Sequence, residues 1–473
     1  MTISRDNIEA IATIAGPKSI VPEDQHQPHL EEWRGRWTGE TPLILAPGST
    51  KELSAIMTAC YARDIAVVPQ GGNTGLVGAQ VPKGEVLIST KRMRAVRDVS
   101  AEGFTMTLEA GVTLAEAQKF AADNDRLFPL SIGAEGTANI GGVLSTNAGG
   151  VHVLRYGNAR DLVLGVEVVL PDGQIWDGLN ALRKNNVGYD LKHLFIGGEG
   201  TLGIISAAVL KLYPCPKEHV TTLLSVPSAD HAVSLLSMAQ DLSGGQVGSF
   251  ELMGGPMLDL VLEHFPDLPR PLETQAPYYV LAEFSTGREG SLRETVDDIL
   301  ALAMEKGLVT DGTIAADGKQ SEALWALRHN ATEAMKSDGL PCVKCDVSVP
   351  IAHIPAFLTG ADAAMRSMDQ GARIIAFGHM GDGNIHYDVL APKDAEAPAW
   401  RSNMEAMERR VHDVTVSLGG SISAEHGIGQ LKRDELSERM DPIQMNLMRA
   451  IKASLDPKGL MNPGKLLVQH TEC

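Results

Sequence analysis

The chain has 473 residues but only five cysteines: Cys60, Cys215, Cys342, Cys345 and Cys473. So sparse and odd a set excludes a disulfide framework and fits the reducing cytoplasm, where the protein is expected to reside. Cys342 and Cys345 form a C-x-x-C inside a strand-like run, but no second cysteine pair completes a tetrahedral zinc site. Positive charge is also scarce. With 41 Lys and Arg against 59 Asp and Glu, the formal net charge is −18, which excludes nucleic acid as a partner. The same field repels anions at long range, so an acidic substrate must be captured by local cations within a cleft. No apolar run approaches the ~18 residues that a membrane span needs. The first residues carry Asp6 and Glu9 without a basic stretch, so no secretory or mitochondrial leader is expected. There is no internal repeat and no low-complexity segment.

What the chain has in abundance is clustered glycine. Ala134–Gly150 holds Gly136, Gly141, Gly142, Gly149 and Gly150, with Thr137, Ser145, Thr146 and Asn147 between them. Such a backbone can approach a ligand closely and turn its N–H groups toward phosphate. The apolar Ile140, Val143 and Leu144 argue against a loose linker. A second glycine loop, Gln70–Ala79, directly follows the strand-like Ile65–Pro69, a placement that cradles pyrophosphate. A third, Gly198–Gly203, matches G-x-G-x-x-G. It is followed by the β-branched run Ile204–Leu212, which reads as a strand, whereas the dinucleotide fingerprint requires a helix.

The element pattern predicts an α+β protein of two or three domains, because single cores stop growing near ~250–300 residues. A helix is predicted over Lys51–Arg63, with Ser49 and Thr50 as caps. Strands are predicted over Glu85–Ser89, Thr105–Glu109, Val163–Leu170 and Ile204–Leu212. Pro171-Asp172-Gly173 turns Val163–Leu170 into Gln174–Trp176 as a hairpin. Tyr213–Pro216 breaks the pattern and marks a boundary. Beyond it come strands Tyr278–Phe284, Val343–Val349 and Arg373–Phe377, and helices Ser321–Met335, 351–368 and Ala399–Val416, with helices again from Arg433 to Leu455. The expected regions are 1–216, 217–417 and 418–473.

A second constellation suggests acid–base and metal chemistry. Gly381-Asp382-Gly383-Asn384 joins two strand-like runs, Arg373–His379 and Ile385–Leu390. If those four residues are the loop, Met380 lies opposite Ile385 and His379 opposite His386, on one face. Two imidazoles so placed suit one metal, with Zn–N near ~2.0–2.1 Å. Glu425-His426 adds a carboxylate and an imidazole. Arg328 and Thr332 fall one helical turn apart on the same face. Lys344 lies in an otherwise apolar strand, where it needs a partner, with Asp346 the nearest.

Three long segments, Pro69–Ala79, Ile132–Gly150 and Asn185–Ile205, resemble the FAD domain of vanillyl-alcohol-oxidase-type flavoproteins. More narrowly they resemble the FAD-linked D-2-hydroxy-acid dehydrogenases, from about residue 40 to the C-terminus. The resemblance implies a two-part FAD-binding domain, a substrate domain with an antiparallel sheet flanked by helices, and a helical C-terminal cap. It implies that Pro69, Gly71, Gly72, Asn73, Thr74, Gly75, Gly78 and Ala79 hold the diphosphate side. Gly136, Thr137, Gly142, Thr146, Asn147, Gly149 and Gly150 would line the flavin and its phosphates, Ile204 the adenine side, and Asn462 the isoalloxazine. The Gln70–Ala79 loop has no histidine, so the FAD is expected to be non-covalent. His379, His386 and Glu425 match the family's metal ligands, and His426 its general base. Imidazole and carboxylate suit zinc while tolerating Mn, Fe or Co. The implied reaction removes one proton, to His426, and one hydride, to flavin N5.

In the D-2-hydroxyglutarate branch of the family, residues at the places of Arg328, Thr332 and Lys344 bind substrate carboxylate, and Asn384 joins that set. A dicarboxylate needs cationic capture at its far end. The expected substrate is therefore D-2-hydroxyglutarate, with D-malate second, and D-lactate or glycolate as the alternative. The expected acceptor is an electron-transfer flavoprotein, a quinone or a cytochrome. A homodimer is the candidate assembly.

Overall fold

The computed structural model describes residues 3–468, so Cys473 lies outside the described residues. Two compact units form. Of the described residues, the first gathers those up to Gly149, Gly157–Cys215 and those from His426 on; the second holds Gly150–Tyr156 and Pro216–Glu425. The expected third region, 418–473, is thus divided at Glu425. The cause is backbone pairing within the first unit. Val67 N–H donates to Leu460 O at 2.9 Å and Asn462 N–H to Val67 O at 2.8 Å, which adds the Met461 segment to a sheet edge.

In the first unit, Ile44–Leu45, Val86–Ser89 and Val67–Gln70 form a three-stranded parallel sheet with Val86–Ser89 in the middle. A five-stranded antiparallel sheet runs Val96–Ser100, Thr105–Glu109, Ile204–Lys211, Val163–Val169, Ile175–Asp177. The predicted hairpin forms, with Gly173 at φ 90° closing its turn. The helix Thr50–Ala62 starts at Ser49, whose hydroxyl accepts from the Glu52 N–H. It buries Leu53, Ile56, Met57 and Cys60, the i, i+3, i+4, i+7 stripe.

The second unit is built on seven antiparallel strands: β1 Glu218–Val226, β2 Val247–Gly254, β3 Tyr278–Thr286, β4 Asp311–Ile314, β5 Cys342–Ser348, β6 Arg373–His379 and β7 Asn384–Leu390. Their order is β4-β1-β3-β2-β6-β7-β5. One face is largely apolar. Val343, Cys345, Val347, Ala376, Ile385 and Tyr387 pack there into a single core with Leu235, Ile299 and Phe357 from helices Ala229–Ser243, Leu292–Glu305 and Ile354–Met368. The other face changes character along the strands. At one end Met253, Tyr279, Leu281, Ile375, Phe377 and Leu390 pack beneath helices Gly255–His264, Gly318–His329 and Ala331–Ser337. Two residues further along the same strands, side chains of the same face are Glu251, Glu283, His379 and Asp388. Period-2 alternation keeps all of these on one side of the sheet. The same alternation sends Cys342 and Cys345 to opposite faces, and neither is in a disulfide.

Two predicted helices are interrupted. Ser321–Met335 breaks at Asn330 into Gly318–His329 and Ala331–Ser337, and Ala399–Val416 breaks at Ser402-Asn403 into Ala397–Arg401 and Met404–Ser417. Asn and Ser side chains compete for backbone groups and favour such ends.

Candidate active site

In the first unit the two glycine loops meet backbone to backbone. A Cβ on Gly72 would stand 2.0 Å from Thr137 O, and one on Gly71 would stand 3.4 Å from the Gly142 Cα. Only glycine permits the first approach. Here lies a cavity of about 200 Å³ lined by Gly72, Gly111, Thr113, Thr137 and Asn139 with two cations, Lys91 and Arg94. Burial pulls the Lys91 amine below its ordinary value. The Asn462 amide donates to Ala79 O (3.1 Å) and Glu199 O (2.8 Å), tying three segments together. Its Oδ1 and that of Asn139 are buried acceptors without a partner. Glycine-only clearance, two cations and bare acceptors fit a ligand that carries phosphates and ring N–H donors.

Other expected cofactor residues have local duties. The Asn73 amide bonds Pro28 O and Glu31 O, Thr146 Oγ1 donates to Gly142 O, and Asn147 Oδ1 accepts from Arg160 N. Ile204 is buried in the first unit's core. Gly203 is followed by strand Ile204–Lys211, so the G-x-G-x-x-G there lacks the helix that a Rossmann fingerprint requires. Its Glu199, which sequence reasoning passed over, is buried and accepts from Ile428 N (2.8 Å) and Gly429 N (2.7 Å). It thereby anchors the turn that follows His426. Burial raises its carboxyl above the ordinary value.

In the second unit the polar end of the sheet gathers a compact set. Ligand atoms of His379, His386 and Glu425 all lie within 4.8 Å of one another. The expected register is corrected by two residues. Phe377, not His379, stands opposite His386, and ladder pairing between β6 and β7 ends there. A Cβ at Gly378 would meet Asn384 O at 2.3 Å, so glycine lets the backbones close up where the prediction placed a wider ladder. His379 pairs instead across the sheet with Glu251 of β2. A shift of two preserves the face, so the imidazoles still meet diagonally, with ring centroids 5.5 Å apart.

Two buried carboxylates support this trio. Glu251 Oε1 accepts from His379 Nδ1 at 2.7 Å, and Oε2 accepts from Arg328 Nε at 2.8 Å. Asp346 Oδ2 accepts from the Glu425 backbone N–H at 2.9 Å and Oδ1 from Asn384 Nδ2 at 3.0 Å. His379 Nε2 is left facing Glu425 Oε1 at 3.4 Å. Burial opposes charge on Glu251, but His379 and Arg328 outweigh it and hold the carboxyl at about 2. Burial likewise opposes the His379 imidazolium, yet Glu251 and Glu425 lift it to about 10. Burial pushes His386 down to about 4, outweighing Glu425 and Asp346, whose Oδ1 stands 3.8 Å from its Nδ1, and leaves it neutral. Burial raises Asp382 to about 7. Two imidazoles and one carboxylate converging form a donor set that fits a divalent cation.

The expected substrate residues are placed unevenly. Arg328 is charge-paired with Glu251, and its guanidinium stacks 4.6 Å from the Phe377 ring centre. Thr332 is exposed and lies on the next helix, beyond the Asn330 break. Lys344 is half-buried on the site face of β5, directly opposite Asp388. Asp346 is occupied by Asn384 and the Glu425 N–H, and is not its partner. Asn384 is buried, with its Oδ1 unpartnered. His426, half-buried, begins the last segment of the first unit.

The fold and its glycine cradle define a flavin-binding oxidoreductase. Residues 41–178 match the FAD binding domain family, and residues 215–466 match the FAD linked oxidases, C-terminal domain. D-2-hydroxyglutarate dehydrogenase, mitochondrial, of Rattus norvegicus is 37% identical over 467 residues, covering 98% of this chain and 85% of the relative. D-2-hydroxyglutarate dehydrogenase of Xanthomonas citri pv. viticola is 37% identical, covering 93% and 92%. D-2-hydroxyglutarate–pyruvate transhydrogenase of Saccharomyces cerevisiae is 36% identical, covering 92% and 88%. Among solved structures, alkyldihydroxyacetonephosphate synthase superposes with TM-score 0.74 at 19% identity, over 98% of this chain and 86% of that one. 4-Ethylphenol oxidase from Gulosibacter chungangensis gives 0.73 at 16%, over 98% of each. The chain belongs to the FAD-linked oxidase family, shares the vanillyl-alcohol-oxidase-type fold, and is an FAD-dependent oxidoreductase. Among the described residues no helix is long and apolar enough to cross a membrane.

Proposed function

We propose that this protein oxidises D-2-hydroxyglutarate to 2-oxoglutarate, with D-malate as a second substrate. The observation that carries the reading is the convergence of His379, His386 and Glu425 within 4.8 Å in a chain related to D-2-hydroxyglutarate dehydrogenases. When bound, FAD supplies the hydride acceptor, and a divalent cation, zinc by donor type, supplies a Lewis acid that acidifies the substrate hydroxyl. His379, His386 and Glu425 would hold that cation. Neutral His386 presents a lone pair without competing for a proton. His426, next in sequence to Glu425, takes the hydroxyl proton. Arg328 and Lys344 hold the far carboxylate, with Thr332 and Asn384 as polar neighbours. The FAD is held non-covalently, as a histidine-free Gln70–Ala79 loop implies. Electrons pass on to an electron-transfer flavoprotein, a quinone or a cytochrome; the name of the yeast relative adds pyruvate as an acceptor class. Five cysteines in 473 residues support a cytoplasmic setting.

One observation favours a second reading. Glu251 already balances the charge of Arg328, which weakens the case for a dicarboxylate and leaves room for D-lactate or glycolate. Steady-state kinetics with the four acids and one artificial acceptor separate the readings. The proposal expects the highest kcat/KM for D-2-hydroxyglutarate; an equal or higher value for D-lactate would overturn it.

A further inference from the structure

Glu251 is a carboxylate that touches both the metal-side imidazole His379 and the guanidinium of Arg328. It is fully buried on β2, its Oε1 accepting from His379 Nδ1 at 2.7 Å and its Oε2 from Arg328 Nε at 2.8 Å. We propose that Glu251 is a positioning residue that locks a metal-ligating imidazole and the substrate-binding guanidinium to one rigid anchor, so that cation retention and dicarboxylate preference rise and fall together. The inference rests on the metal and substrate roles given to His379 and Arg328 above.

Three features of the geometry lead there. The hydrogen bond from Nδ1 to Glu251 keeps that nitrogen as a donor, so Nε2, the nitrogen that faces Glu425, is the one that would give up its proton to ligate a cation. Imidazoles that ligate metals characteristically donate their second N–H to such a carboxylate, and loss of that partner weakens metal affinity about 10–100-fold. On the other oxygen, only Nε of Arg328 is engaged. Nη1 and Nη2 make no hydrogen bond with any described residue, so a planar pair of donors is left for a second carboxylate. The Phe377 ring beneath the guanidinium, 4.6 Å from its carbon, restrains the plane from turning. Because Glu251 has two oxygens in two fixed bonds, moving either partner strains the other. A glutamine in its place offers one acceptor for two donors and must release one of them.

The test compares wild type with Glu251→Gln as FAD-loaded enzyme. Zinc affinity is read by competition with a fluorescent chelator, and kcat/KM is measured for D-2-hydroxyglutarate and D-lactate. The expected result is a zinc Kd raised about 10–100-fold, together with a D-2-hydroxyglutarate to D-lactate preference lowered about tenfold. A purely structural Glu251 would lower the melting temperature while leaving both readouts of the folded fraction unchanged, and that result overturns the inference. If wild type itself takes up no zinc, the metal reading beneath it fails as well, a distinguishable outcome. Should Glu251→Gln not fold, ¹⁵N-histidine NMR of zinc-loaded wild type decides. His379 with a protonated Nδ1 and a ligating Nε2 supports the inference, and a ligating Nδ1 refutes it.

Discussion

Replacing Arg328 with lysine probes the specificity argument most sharply. The guanidinium makes one hydrogen bond to Glu251, at 2.8 Å, and keeps two terminal nitrogens unbonded among the described residues. Lysine retains the positive charge that Glu251 needs, so the fold should lose only about 1 kcal/mol, the worth of one ordinary hydrogen bond. It cannot serve Glu251 and a substrate carboxylate at once, because its ammonium is a single point charge without a fork. Hydrogen bonds to charged groups contribute about 1.5–3 kcal/mol each. Losing about 3 kcal/mol of transition-state binding lowers kcat/KM for D-2-hydroxyglutarate roughly 10²-fold. D-Lactate carries a methyl where the second carboxylate would lie, so its kcat/KM should change by little more than about twofold, within the ~0.5 kcal/mol of an indirect effect. Parallel steady-state assays with one acceptor give the ratio directly. Equal losses for the two acids, or none for D-2-hydroxyglutarate, would refute the role assigned to Arg328.

Two further outcomes are expected. His426→Ala should retain FAD, judged by the flavin-to-protein absorbance ratio, while turnover falls at least ~10²-fold, as for a lost general base; near-normal turnover would remove His426 from that role. In metal-free protein, the urea-unfolding stability of wild type relative to Glu251→Gln should be greatest between pH 4.5 and 6.5. The Glu251 carboxyl drops from 4.5 to about 2 on folding, so its contribution is lost as pH falls below 4.5. His379 rises from 6.5 to about 10, so its contribution is lost as pH climbs above 6.5. A pH-independent difference would contradict the pairing.

Much of the fold could be read from local pattern. Strand Thr105–Glu109 and the hairpin at Pro171–Gly173 form as predicted, because alternation and turn chemistry act over a few residues. The G-x-G-x-x-G motif was rightly set aside on the β-branched run after it. The His379–His386 proximity was legible too, yet its register was not, since Gly378 permits a backbone approach that residue counting cannot foresee. Glu251 carried no signal at all. It belongs to no motif, lies 128 residues from His379, and meets it only because β2 and β6 are neighbours in the sheet. Asp346 stands two residues from Lys344 on one strand face, which is all the sequence shows of it. It serves the backbone of Glu425, 79 residues on, and not Lys344. The path of the chain after Glu425 was hidden for the same reason: residues 460–462 join the first unit through pairing at Val67 and the Asn462 bonds to Ala79 and Glu199, all distant in sequence.

The most direct measurement is flavin reduction under anaerobic conditions, on adding D-2-hydroxyglutarate to protein stripped of metal by a chelator and to the same protein after zinc is returned. The account predicts that flavin absorbance persists in the stripped protein and bleaches within a turnover once zinc is restored. Equal bleaching in both samples would contradict it.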